Sequence, residues 1–135
     1  MANALYTPAK HALGTGALVL NSGTFKVALV DAGAYALAAA THEFLASVPV
    51  GARIATATLT GVTWLDGVFD AADASFGAVT GVSCEALILY KFGTGDADSR
   101  LIAYLDTGYT NLPVTPGGTT ISLVWPNGAD KIFRL

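Results

Sequence analysis

From Gly51 to the end of the chain, short β-prone runs alternate with Gly, Pro, Asn and Asp turn signals. The signals recur roughly every eight to twelve residues. That punctuation leaves no room for the crossover helices of a parallel sheet, so the strands must reverse direction and pair antiparallel. The runs fall at 53–60, 62–68 (carrying Trp64), 69–76, 85–92, 100–105, 111–115, 119–125 and 131–135. Residues 85–92 are almost continuously apolar, as expected of a strand covered on both faces. After the polar connector 93–99, the run 100–105 returns. These two runs are predicted to pair as the central hairpin of the core, because an edge strand of that composition would invite aggregation.

The first third reads differently. Thr7 can cap a short helix with Pro8 at its first position, and Gly14 is expected to stop it. Asn21-Ser22-Gly23 turns the chain into a strand over 24–30. Residues 35–40 are Ala-rich and ambiguous, and 41–46 reads as a second short helix before Val48-Pro49. Neither an internal repeat nor a Pro- or Ser-rich linker interrupts the chain. The expectation is one mainly β domain over 1–135. Its form is an antiparallel β-sandwich or jelly roll with one or two short helices in the N-terminal third.

Composition limits the partners. Hydrophobic residues make up 53% of the 135 residues and charged ones 13%, with a mean hydropathy of +0.53. A typical soluble domain carries about 25% charge. No stretch reaches the ~20 apolar residues of a spanning helix, since Asp31 and Gly33 cut the best candidate, 28–40. The opening residues lack a basic region followed by an apolar block, so neither a signal peptide nor a membrane partner is expected. Seven Lys and Arg stand against ten Asp and Glu, giving a net charge of −3. The cations form no run, which argues against a nucleic-acid partner. The single cysteine, Cys84, allows no internal disulfide, and its apolar setting predicts a buried, inert thiol.

Chemistry-bearing patterns are thin. The two histidines, His11 and His42, lie in no nucleophile–base setting, and helix-surface or capping roles suit them better. His42-Glu43 opens like a zinc-protease motif, but Ala46 stands where the second His is required. Asp66, Asp70 and Asp73, and the pair Asp96 and Asp98, are fragments of a calcium site at most and read as turn residues. Gly14-Thr15-Gly16, Gly93-Thr94-Gly95 and Pro116-Gly117-Gly118 lack the Lys-Ser/Thr or dinucleotide spacing of phosphate loops. The expectation is therefore no catalytic, cofactor-binding or metal site, no cofactor and no enzyme. The aromatics, among them Trp64, Tyr90, Phe92, Tyr104, Tyr109 and Trp125, fit core packing, with a glycan-binding platform as the alternative.

Several segments together resemble small virion proteins of tailed bacteriophages. They include Met1-Ala2-Asn3-Ala4-Leu5-Tyr6-Thr7-Pro8-Ala9-Lys10, Phe25-Lys26-Val27-Ala28-Leu29-Val30-Asp31 and Thr41-His42-Glu43-Phe44-Leu45. The resemblance continues through Gly67-Val68-Phe69-Asp70-Ala71-Ala72-Asp73, Glu85-Ala86-Leu87-Ile88-Leu89-Tyr90-Lys91 and Ser99-Arg100-Leu101-Ile102-Ala103-Tyr104-Leu105-Asp106. It closes with Leu112-Pro113-Val114-Thr115-Pro116 and with Trp125-Pro126-Asn127-Gly128-Ala129-Asp130-Lys131-Ile132-Phe133-Arg134-Leu135. These landmarks are structural rather than catalytic. The resemblance implies a non-enzymatic virion structural protein, foremost a capsid decoration or cement protein binding the major capsid protein. The alternative it leaves is a tail, neck or fibre component, including a glycan- or receptor-binding module. It also implies a homo-oligomer and residence in the virion after assembly in the host cytoplasm. Within that picture, the segment before Gly14 and residues 131–135 are the expected contact regions, because apolar residues at chain ends fray unless docked.

Overall fold

In the computed structural model, residues 3–109, 112–129 and 131–135 are described. The elements in chain order are β1 (Ala4–Leu5), α1 (Thr7–Thr15), β2 (Thr24–Val30), β3 (Arg53–Thr58), β4 (Thr63–Leu65), β5 (Val68–Asp70), β6 (Ala74–Phe76), β7 (Ala86–Phe92), β8 (Arg100–Leu105), β9 (Ile121–Leu123) and β10 (Phe133–Arg134). Every strand pairing among them is antiparallel. The largest sheet has the order β1-β8-β7-β2-β3, and two smaller sheets have the orders β10-β5-β4 and β6-β9. The fold is mainly β and sandwich-like, as expected.

The β7–β8 hairpin sits inside the large sheet, with Leu87 opposite Leu105 and Ile88 opposite Tyr104. Side-chain alternation assigns the two faces. Phe25, Val27 and Leu29 of β2 share one face with Leu89 and Leu87 of β7. The small sheets cover this face. Phe25 meets Phe69 of β5 edge-on at 5.2 Å, and Phe69 stacks on Phe133 of β10 at 5.1 Å. Leu29 and Leu87 also border a small void with Phe76 and Leu123 of the β6–β9 pair.

The opposite face carries Ala28, Ile88 and Tyr104, and it is covered by α1 and the irregular segment 31–52. Both faces of the central strands are thus dry, which explains their unbroken apolar character. The 93–99 connector closes on itself. Ser99 is fully buried; its hydroxyl donates to the Gly95 carbonyl at 2.7 Å and accepts from the Gly93 amide.

Several sequence expectations need correction. The expected second helix over 41–46 is absent; only a three-residue 3-10 turn, Leu45–Ser47, forms there. Strand β8 recruits this backbone instead: Leu101 N–H donates to the Glu43 carbonyl, and Leu45 N–H donates to the Ser99 carbonyl. Phe44 forms an antiparallel bridge with Arg100, which requires an extended chain. Thr7 is the first helical residue rather than the cap; Tyr6 holds the cap position without a side-chain bond. The helix runs past Gly14 and ends at Gly16, whose φ of 82° is the left-handed cap that glycine favours. The run 62–68 is not one strand but the β4–β5 hairpin, reversed at Asp66-Gly67 with both φ angles positive. Residues 69–76 likewise split between β5 and β6. The expected 111–115 strand begins at Asn111, outside the described residues; beyond it only Val114 pairs, bridging to Cys84.

Candidate functional surface

The chemistry-bearing residues occupy separate settings. His11 is exposed on α1, whereas His42 is half-buried in the covering segment. Cys84 is fully buried; burial, aided by the nearby Glu85 and Asp31 carboxylates, pushes its thiol up to about 11. The thiol is buried, as expected.

The acidic residues divide. Asp98 accepts from the Thr94 and Gly95 amides and the Thr94 hydroxyl at 2.7–3.0 Å, and these bonds hold its carboxyl below the usual range. Asp96 pairs with Arg53 at 2.8 Å, and the guanidinium lowers its carboxyl as well. Asp73 accepts from the Trp125 amide. Asp66 supplies the β4–β5 turn. Among the described residues no three His, Cys, Asp or Glu side chains group to hold a metal.

Most aromatics are core. Tyr90, Tyr104, Tyr109 and Trp125 are all buried, and the Trp125 indole N–H donates to the Ala72 carbonyl. Phe92 is 38% exposed, and the Lys26 ammonium covers its ring at 4.0 Å. Trp64 of β4 is half-buried.

Both expected contact regions give part of their apolar surface to the core. Tyr6 and the α1 residues Ala9 and Ala12 are buried in the core, as are Ile132 and Phe133 of β10 and its approach. Strand β1 pairs with β8, and β10 with β5. Met1 and Ala2 lie outside the described residues. What remains open near the C-terminus is Leu135, 54% exposed, whose amide donates to the Gly67 carbonyl at 2.8 Å.

That bond brings Leu135 beside the β4–β5 turn; Leu65, the last residue of β4, is 69% exposed. Leu65 and Val68 are cross-strand partners. Together with Thr63, Asp66, Asp70, Lys131 and Arg134 they border a concavity of about 310 Å³ on the outer face of the β10-β5-β4 sheet. Trp64, Phe69 and Phe133 alternate to the inner face, so this small sheet packs with its aromatic side and shows a mixed aliphatic and charged side outward. The sequence had no period to reveal the patch, because its members come from three short strands joined only in space.

A second constellation joins Tyr6, Tyr35 and His42. The Tyr6 and Tyr35 hydroxyls lie 3.0 Å apart, and the Tyr35 hydroxyl lies 2.7 Å from His42 Nδ1. Tyr6 is fully buried and Tyr35 nearly so. Burial raises both phenols, most strongly that of Tyr6. No protein-family model matches the chain, and comparison with curated proteins finds no match.

Proposed function

We propose that the chain is a non-enzymatic structural protein of a tailed-bacteriophage virion, acting as a capsid decoration or cement protein. In this reading it works as a homo-oligomer that binds major capsid subunits and stabilises the head. The observation that carries the reading is the outer face of the β10-β5-β4 sheet, where exposed Leu65 and half-buried Val68 form an aliphatic patch on a chain with little charge. Cohesive interfaces are built from such patches ringed by polar groups, and Asp70, Lys131 and Arg134 supply the ring. The whole-chain resemblance to phage virion proteins supports the choice of partner.

The energetic scale is adequate. A contact burying about 1,000 Å² of apolar surface yields a gross gain on the order of 25 kcal/mol before the costs of association. Repeated over a shell, that gain resists internal pressure.

The test compares particles with and without the protein, together with particles carrying Leu65→Asp. Cement function requires a copy number in step with the major capsid protein, retention that falls in Leu65→Asp, and depleted heads that rupture at lower temperature or under osmotic shock. A few copies at one vertex would overturn it in favour of a tail, neck or fibre role. Depleted particles as robust as wild type but unable to adsorb would overturn it in favour of receptor or glycan binding.

A further inference from the structure

We propose that the outer face of the β10-β5-β4 sheet is a self-complementary interface, paired in solution with the same face of a second copy of this chain. The inference rests on the structural, homo-oligomeric reading above and names the contact that makes the oligomer. Register and side-chain alternation place the members. Leu65, Val68 and Arg134 form one row across the three strands, and Thr63 and Asp70 form the next. Asp66 lies in the β4–β5 turn and Lys131 on the approach to β10, and all of them border the concavity of about 310 Å³.

Charge selects the occupant. The described residues bordering the concavity carry two charges of each sign, Asp66 and Asp70 against Lys131 and Arg134, whereas the whole chain carries −3. Two copies therefore repel as wholes and least across this face. The opposite charges are kept apart within one copy: Asp66, Asp70 and Lys131 form no ion pair with any described residue. A two-fold axis lying in the contact, between Asp70 and Lys131, sets each copy's Asp70 over the other's Lys131. One operation thus makes both pairs, which a face of a single sign could not do with itself.

Shape follows the same symmetry. Leu65 stands 69% exposed at the border of the concavity, so each copy offers a projection beside a recess. Seating each Leu65 in the other's recess, beside the half-buried Val68, removes aliphatic surface from water on both sides. The face is only three short strands wide. The pair therefore belongs to the small, concentration-dependent class of contacts, which gains strength when many copies are held side by side.

The experiment is sedimentation equilibrium on the purified full chain from about 5 to 500 μM. Wild type should pass from monomer to dimer over this range, and added salt should weaken the dimer. Leu65→Asp, a change at an exposed position, should leave the chain monomeric. Asp70→Lys and Lys131→Asp should each weaken association about tenfold, because each sets like charges across the two-fold. The left-handed backbone at Lys131, φ 48°, is one that Asp accepts. Mixed in equal amounts, these two variants should form a heterodimer of near wild-type strength, since opposite charges then meet at both pairs. A wild type that stays monomeric, a dimer untouched by Leu65→Asp, or a mixture that fails to associate overturns the proposal. The cement reading is judged separately. A monomeric wild type whose Leu65→Asp form is still lost from particles gives this face to the capsid subunits and keeps that reading. A dimer that behaves as stated, on particles no weaker without the protein, keeps the interface and removes it.

Discussion

Truncating Leu87 to Ala tests the three-layer arrangement directly. Leu87, near the start of β7, is 1% exposed and flanked by Leu29 of β2 and Leu105 of β8 in the same sheet. Phe76 and Leu123 of the small sheets close over it around a void of only about 10 Å³. The substitution removes three carbons, roughly 2.4 kcal/mol at 0.8 kcal/mol each. A cavity term follows, because strands on both sides and a sheet above prevent the site from collapsing. The total is about 3 to 5 kcal/mol. In urea the m-value of a small domain is about 1–3 kcal/mol/M, so at a slope of about 2 the midpoint should drop by on the order of 1.5–2.5 M with the slope unchanged. Leu29→Ala alone should cost a similar amount. The double variant should lose less than the sum, since both truncations open one shared cavity. As a reference, Val50→Ala, at a position 72% exposed, should stay within about 0.5 kcal/mol of wild type. A loss below about 1 kcal/mol for Leu87→Ala would refute the packing of the small sheets on this face.

Other perturbations follow from local geometry. Gly67→Ala should destabilise by about 1–2 kcal/mol in thermal unfolding, because φ is 77° and the new methyl would lie 3.3 Å from the Leu135 carbonyl oxygen. Arg53→Ala should cost about 1–2 kcal/mol by chemical denaturation, since its guanidinium donates twice to the Val48 carbonyl at 2.9 and 3.1 Å. Asp96→Ala, which removes only the half-exposed partner, should cost under about 1 kcal/mol. For Asp98, whose carboxyl is depressed by the Thr94 and Gly95 donors, the stabilisation of the 93–99 loop is present above the unfolded carboxyl pKa and is lost as pH falls through the lower folded value. Exchange of the Thr94 and Gly95 amides should accelerate in that acid window, and Asp98→Ala should accelerate it at neutral pH. Cys84, with its thiol pushed up to about 11, should react with a thiol reagent at pH 8 only at the rate of unfolding.

How much of this was legible depends on whether a residue's neighbours are close in sequence. The β7–β8 hairpin was readable because both strands are almost continuously apolar and the connector between them carries its own closing groups, Asp98 and Ser99. The helix expected over 41–46 failed for the opposite reason. Its local propensity was overridden by Ser99, Arg100 and Leu101, which hold Glu43 to Leu45 extended from some sixty residues away. The Asp66-Gly67 pair was a readable two-residue hairpin signal inside what looked like one strand. Leu65 and Arg134 border one concavity, and Tyr6, Tyr35 and His42 share a hydrogen-bond chain, only because distant segments meet in the fold. No spacing in the sequence encodes either. At the chain ends the apolar residues looked unpartnered, whereas Tyr6 and Phe133 are part of the core.

The pairing of β1 with β8 has a consequence in time. Ala4 finds its partner in Tyr104, about a hundred residues further along the chain. At roughly 5–20 residues per second, a ribosome separates their emergence by on the order of 5–20 s. For that interval Tyr6, Ala9 and Ala12 have no sheet to cover them, although short-range pairings such as β4 with β5 can already close. A segment with so few charges, waiting that long, is the part of the nascent chain that most needs shielding, and folding limited by this closure will be slow compared with that of a helical bundle of the same length.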